Sequence, residues 1–106
     1  MFKQNKSEAP RRERNGFTSH ILLQQGDILD VRLAITWVDV AHGSSQRPHS
    51  HGSEQVYVII KGKGQMRVGD EKREVVEDDL IFIPPHVVHS IENSLNEVLQ
   101  QLLHST

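Results

Sequence analysis

From Thr18 onward the apolar residues of this chain come in short runs, most of them too short to build a helix. They fall at residues 20–23, 28–40, 56–60, 66–68, 80–83 and 87–91, are rich in β-branched side chains, and are cut apart by turn-forming residues. The interruptions are Gly26-Asp27, Gly43, Gly62-Lys63-Gly64, Gly69-Asp70, Asp78-Asp79 and Pro84-Pro85. Such spacing predicts an all-β sandwich or barrel, with a hairpin turn at Gly69-Asp70. One segment resists this reading. Leu95, Val98, Leu99, Leu102 and Leu103 follow a helical period, so periodicity alone predicts an amphipathic helix there.

The chain has 106 residues, enough for one domain and one core. Residues 1–17 read as a flexible or loosely packed segment and residues 18–106 as the β domain. Lys3, Lys6, Arg11, Arg12 and Arg14 make the first segment basic, but it lacks the interleaved aromatics of a nucleic-acid arm. The formal net charge of −2 and isoelectric point near 6.4 give no global basic field. A small molecule is therefore the expected partner, rather than nucleic acid or a membrane. No apolar run has the length of a membrane span, and the amino terminus has no signal-like apolar core, so a cytoplasmic setting is expected. Cysteine is absent, which fits a reducing compartment and leaves nitrogen and oxygen as the only metal donors.

Seven histidines are a surplus for this length, and four lie in two places: His49 and His51, then His86 and His89. On an extended strand, residues i and i+2 point to one face with α-carbons roughly 7 Å apart, so the first two rings can converge on one ion. Carried forward, that face includes Ser53, Gln55, Tyr57 and Ile59, whereas Glu54 falls on the other side unless a bulge intervenes. Gln55 is then the nearby oxygen donor. Alternation after Pro84-Pro85 through Val87, His89 and Ile91 offers His89 as a ligand from a distant strand. The competing reading makes His49 and His51 part of a solvent-facing polar loop, since residues 43–48 just before them are Gly, Ser, Ser, Gln, Arg and Pro.

Residues 43–62, GSSQRPHSHGSEQVYVIIKG, resemble the first motif of the cupin superfamily: Gly, five residues, His-x-His, three or four residues, Glu, six residues, Gly. Gly43, His49, His51 and Gly62 match, and Gln55 stands where the family usually has its glutamate. Glu54 is the alternative, one residue away. Residues 78–93, DDLIFIPPHVVHSIEN, are similar to the second motif, with Pro84, His89 and Asn93 matching and Asp78 and His86 in its two glycine positions. The resemblance implies a double-stranded β-helix barrel, hence a strand at the C-terminal segment, and often a homodimer. It also implies one metal ion on His49, His51, Gln55 and His89, deep in a barrel with a small-molecule pocket at its open end.

Neutral imidazoles and an amide leave the full charge of a divalent ion uncompensated, so such a site favours anionic or enolate-like ligands. Three nitrogens and one oxygen suit Fe, Mn, Ni, Cu, Co or Zn over Mg or Ca. Tyr57 and Ile59 are pocket candidates, and Tyr57 is the nearest candidate catalytic group, although as a base its hydroxyl would need a strongly lowered pKa. Trp37, Met66 and Phe82 read more readily as core, His86 as a solvent-facing turn residue, and His20, His42 and His104 receive no role. The expectation is a metal-dependent enzyme on a small oxygenated molecule, of dioxygenase, isomerase or decarboxylase type. The alternatives are a binding or sensing module without turnover, and a barrel that has lost its ion.

Overall fold

The short β-branched runs pair with one another throughout the computed structural model, which describes residues 1–94 and 97–106. The described residues form ten strands and no helix. They are β1 (Arg11–Arg14), β2 (Phe17–Leu23), β3 (Ala34–Val40), β4 (Ser44–Ser45), β5 (Gln55–Lys61), β6 (Lys63–Val68), β7 (Glu71–Val76), β8 (Leu80–Ile83), β9 (His89–Asn93) and β10 (Leu99–Ser105). Pairing is antiparallel in two sheets, one ordered β1-β2-β3-β10-β5-β8 and the other β4-β9-β6-β7. The two sheets form the jelly roll of a double-stranded β-helix.

Period-2 alternation decides what each strand sends inward. The larger sheet contributes Val38, Val40, Tyr57, Ile59, Ile83 and Leu99, and the smaller contributes Met66, Val75 and Ile91. Each such side chain is worth about 1.5–3 kcal/mol when fully buried, so this interleaved layer holds the sheets face to face. Trp37 and Phe82, read as core from the sequence, lie elsewhere. Trp37 alternates with buried Val38 and turns to the outer face, donating its indole N–H to Asp39, while Phe82 is 48% exposed. Met66 is core.

The C-terminal segment is a strand, not the helix its apolar period suggests, although Leu95 of that pattern lies outside the described residues. β10 sits between β3 and β5 and pairs with both. Its inward residues Leu99 and Gln101 are buried, and Leu102 on its other face is half-buried. Apolar residues on both faces erase the alternation that normally marks a strand, and two-sided pairing outweighs local helical spacing.

Turn geometry follows the residue types. Gly69 and Asp70 form the two-residue link between β6 and β7, with Gly69 at φ +61°. Gly62 has φ +91°, and a Cβ there would stand 2.9 Å from the Val98 carbonyl oxygen, so only glycine lets β10 pass this close. Asp78 and His86, in the glycine positions of the second motif, keep glycine's left-handed conformation at φ +77° and +65°. The turn survives the substitutions, at some cost in strain.

Before β1, residues 5–9 form a turned segment whose Lys6 ammonium reaches Asp39 at 3.0 Å and lies 4.8 Å over the Trp37 ring. Asp39 also accepts from Trp37 and Gln100 and lies 3.3 Å from His20 Nε2. Burial alone would raise the Asp39 carboxyl, but the Lys6, Trp37 and Gln100 partners hold it below the usual range. No helix among the described residues is long and apolar enough to cross a membrane.

Candidate metal centre

Two chain segments, residues 49–51 and 86–89, meet at one end of the jelly roll. His49 and His89 exchange both backbone hydrogen bonds, His49 N–H donating to the His89 carbonyl at 3.0 Å and His89 N–H to the His49 carbonyl at 2.8 Å. His51 is brought in from the other side, its carbonyl accepting from His86 N–H at 2.6 Å. The ring centroids then stand 4.3 Å (His49 to His89), 4.7 Å (His49 to His51) and 5.3 Å (His51 to His89) apart. One ring nitrogen from each of the three lies within 4.8 Å of the others.

The same turns fix which nitrogen faces the centre. His49 Nδ1 is 3.0 Å from the Arg47 carbonyl and His89 Nδ1 is 3.0 Å from the Val87 carbonyl. A carbonyl can only accept, so each Nδ1 carries the proton and donates, leaving Nε2 with its lone pair free. His89 Nε2 is buried with no hydrogen-bond partner. Burial, then the neighbouring His49, lowers the His51 pKa; the His89 pKa is lowered as well, burial being the largest influence. Neutral, tautomer-fixed imidazoles are the form that ligates a metal.

Gln55 opens β5 on the same face as Tyr57, and its Oε1 is likewise buried without a partner. An unpaired buried polar atom costs about 1–3 kcal/mol, so the three converging imidazoles, His89 Nε2 among them, with Gln55 Oε1 on the inward face of β5, form a donor set that a divalent cation would satisfy. The residues fit the ion. Glu54, the alternative oxygen donor, precedes β5 and is exposed.

Tyr57 is 1% exposed, with its ring edge-on to His89 at 6.0 Å between centroids. Burial pushes its phenol well above the ordinary value, so at neutral pH it stays protonated and does not act as a base. Ile59 lies deeper on the same face. His86 is exposed, and its ring flanks Gly52, where a Cβ would stand 3.4 Å from the His86 ring. Asn93, matched by the second motif, is buried and donates to the Val40 carbonyl at 2.9 Å, tying β9 to β3 rather than entering the centre. Gln101, passed over in the sequence, also faces inward with an unpaired Oε1. Its signal was a polar residue at an inward position of an apolar strand, hidden while that segment read as a helix.

Fold and cluster together define a small jelly-roll barrel with a three-histidine centre at one end. The family model described as "Cupin domain" matches residues 36–103, and the chain belongs to that family. It is 40% identical over 73 residues to the uncharacterized protein MJ1618 of Methanocaldococcus jannaschii, spanning 68% of this chain and 58% of that one. A gentisate 1,2-dioxygenase of a Haloferax species is 40% identical over 42 residues, which is 40% of this chain and 12% of the dioxygenase. The chain therefore spans 58% and 12% of the lengths of these two relatives, under two thirds of each.

Among solved structures, a predicted oxalate decarboxylase of Thermotoga maritima superposes with a TM-score of 0.87 at 22% identity, covering 98% of this chain and 97% of that one. The polyketide cyclase RemF of Streptomyces resistomycificus gives 0.85 at 22% identity, covering 99% and 78%. These likenesses show the fold.

Proposed function

We propose that this cupin binds one divalent transition metal, one of Fe, Mn, Ni, Cu, Co or Zn, through His49, His51, His89 and Gln55, and uses it to act on a small oxygenated molecule. The observation that carries this reading is the convergence of the His49, His51 and His89 ring nitrogens within 4.8 Å of one another, with His89 Nε2 buried and without a partner, as is Gln55 Oε1. Such an ion, when bound, polarises a carbonyl or enolate or activates dioxygen. The chain's own part is to hold His49 and His89 in one tautomer through the Arg47 and Val87 carbonyls, to lower the pKa of His51 and His89 by burial, and to line the pocket with Tyr57 and Ile59. Because no ligand in this set is anionic, the centre favours an anionic or enolate-forming substrate. Dioxygenase, isomerase and decarboxylase chemistry all suit it, and the dioxygenase and predicted decarboxylase among its relatives support that range.

A binding or sensing role without turnover is the second reading, favoured by the raised pKa of Tyr57, which removes the nearest candidate base. In either case we place the protein in the cytoplasm as a homodimer. The outer face of the larger sheet carries half-buried Val56, Val58 and Leu102 beside exposed Leu80 and Phe82, an apolar surface suited to a second copy of itself. Light scattering measures that state. Metal-loaded protein, incubated with oxygenated acids, enols and catechols under air and under argon, tests the activity. Product formation that requires metal supports the enzyme; saturable binding without product in every case supports the sensor.

A further inference from the structure

A groove of about 500 Å³ runs between β7 and β8, the unpaired edge strands of the two sheets. Its floor is apolar: Met66, Val68 and Val75 from the smaller sheet and Ile81 from the larger. The strand register joins it to the histidine centre. Val68 is the cross-strand partner of His89, and Ile81 is the partner of Tyr57, whose ring packs edge-on against His89. No residue of the centre lines the groove itself, but directly opposed residues on one face stand about 5 Å apart, so Val68 and Ile81 put its inner end one cross-strand step from His89 and Tyr57.

The geometry points to an entrance through the side of the barrel, with the groove taking the apolar arm of a ligand whose oxygens sit on the metal. This rests on the metal reading proposed above and adds the shape of the ligand. Small-molecule pockets run to about 300–1,000 Å³, and an acid of two or three carbons would leave most of this one empty. The rim refuses a second acidic group. It carries Glu71, Glu74 and Asp79 against Arg73, whose Nε is already 2.8 Å from Glu71. The ligand class is therefore an oxygen chelator with an uncharged aliphatic or aromatic arm, not a short dicarboxylate.

Hydroxamates test this directly, because the chelating head stays constant while the arm grows. Titration calorimetry on metal-loaded protein should give octanohydroxamic acid at least a tenfold lower Kd than acetohydroxamic acid. In Met66→Trp, which fills the floor, the advantage should vanish while the Kd for acetohydroxamic acid stays put. Equal affinity of the two compounds for the wild type overturns the side entrance. A second readout needs no metal: 1-octanol added to the metal-free protein should shift the Met66 methyl resonance and show a nuclear Overhauser contact to it, and an unmoved methyl also overturns the proposal. Protein that takes up no metal while 1-octanol still contacts Met66 removes the metal reading and leaves the groove as an apolar binding site.

Discussion

Replacing Gln55 by glutamate should move the metal-free and metal-loaded proteins in opposite directions. Oε1 of Gln55 is buried without a hydrogen-bond partner, so a carboxylate there would lose its hydration with no hydrogen-bond donor already aimed at it. Burial of this kind raises a glutamate pKa by about two units or more, and each unit is 1.36 kcal/mol, so the metal-free variant should lose about 2–3 kcal/mol at pH 7. For a chain of this length that is a fall in Tm of about 10 °C. With a divalent ion bound, a full negative charge at a ligand distance of about 2.1 Å gains about 8 kcal/mol per unit of metal charge at an effective dielectric of 20. Burial and the loss of the amide donor offset part of this, and the Kd for metal should still drop at least tenfold. Differential scanning calorimetry in chelator and in excess metal, with competition titration for Kd, measures both arms. An unchanged Tm without metal, or an unchanged metal affinity, would mean that Gln55 does not face the centre.

His89→Ala should abolish stoichiometric metal in tag-free protein, weakening affinity at least a hundredfold; elemental analysis at one metal per chain reads it, and an undiminished content would refute the ligand set. The metal-free wild type should lose stability as the pH falls. His51 and His89 have folded pKa values below the unfolded 6.5, so the unfolded chain binds more protons in that window; the stability present above pH 6.5 drains away below it and levels off beneath the folded values. The Asp39 contribution is separable, because its lowered pKa keeps that loss below pH 3.8. Thermal melts in chelator from pH 8 to 3 should show the two steps, and a flat profile between pH 7 and 5 would contradict the histidine assignment. Asp78→Gly relieves a residue at φ +77° and should raise Tm by about 2–5 °C; a lower Tm would show that the turn depends on the aspartate side chain.

Strand-sized apolar runs and their turn residues made the all-β class readable from the chain, because a half-buried strand must alternate and a tight turn must use Gly, Asp or Pro. The H-x-H pair and His89 were readable from their spacing and the family resemblance, and their rings do cluster, although residues 50–54 lie outside any strand and an isolated bridge, not strand alternation, seats His49 opposite His89. β10 was readable only through the family resemblance, since it is apolar on both faces and its own period suggests a helix. Trp37 and Phe82 were misplaced because size and hydrophobicity say how much a side chain gains from burial, not which side of a sheet it is on. The Arg47 and Val87 carbonyls that orient His49 and His89 were also invisible, being backbone groups that any residue would supply. The groove between β7 and β8 depends on which edges stay unpaired, and that is decided by the order of strands far apart in the chain.

With the proposed ion, the reciprocal backbone bonds between His49 and His89 would make the centre a proofreader of its own assembly. A nascent chain that has released only the H-x-H segment can offer two imidazoles, and the third arrives after four more strands have formed. If β9 then docked one residue out of step, His89 would swing to the outer face and Val88 or Ser90 would take its place. An ion that demands three nitrogens holds weakly to such a misaligned chain and tightly to the correct one, so metal uptake would select a single sheet alignment from among its near neighbours.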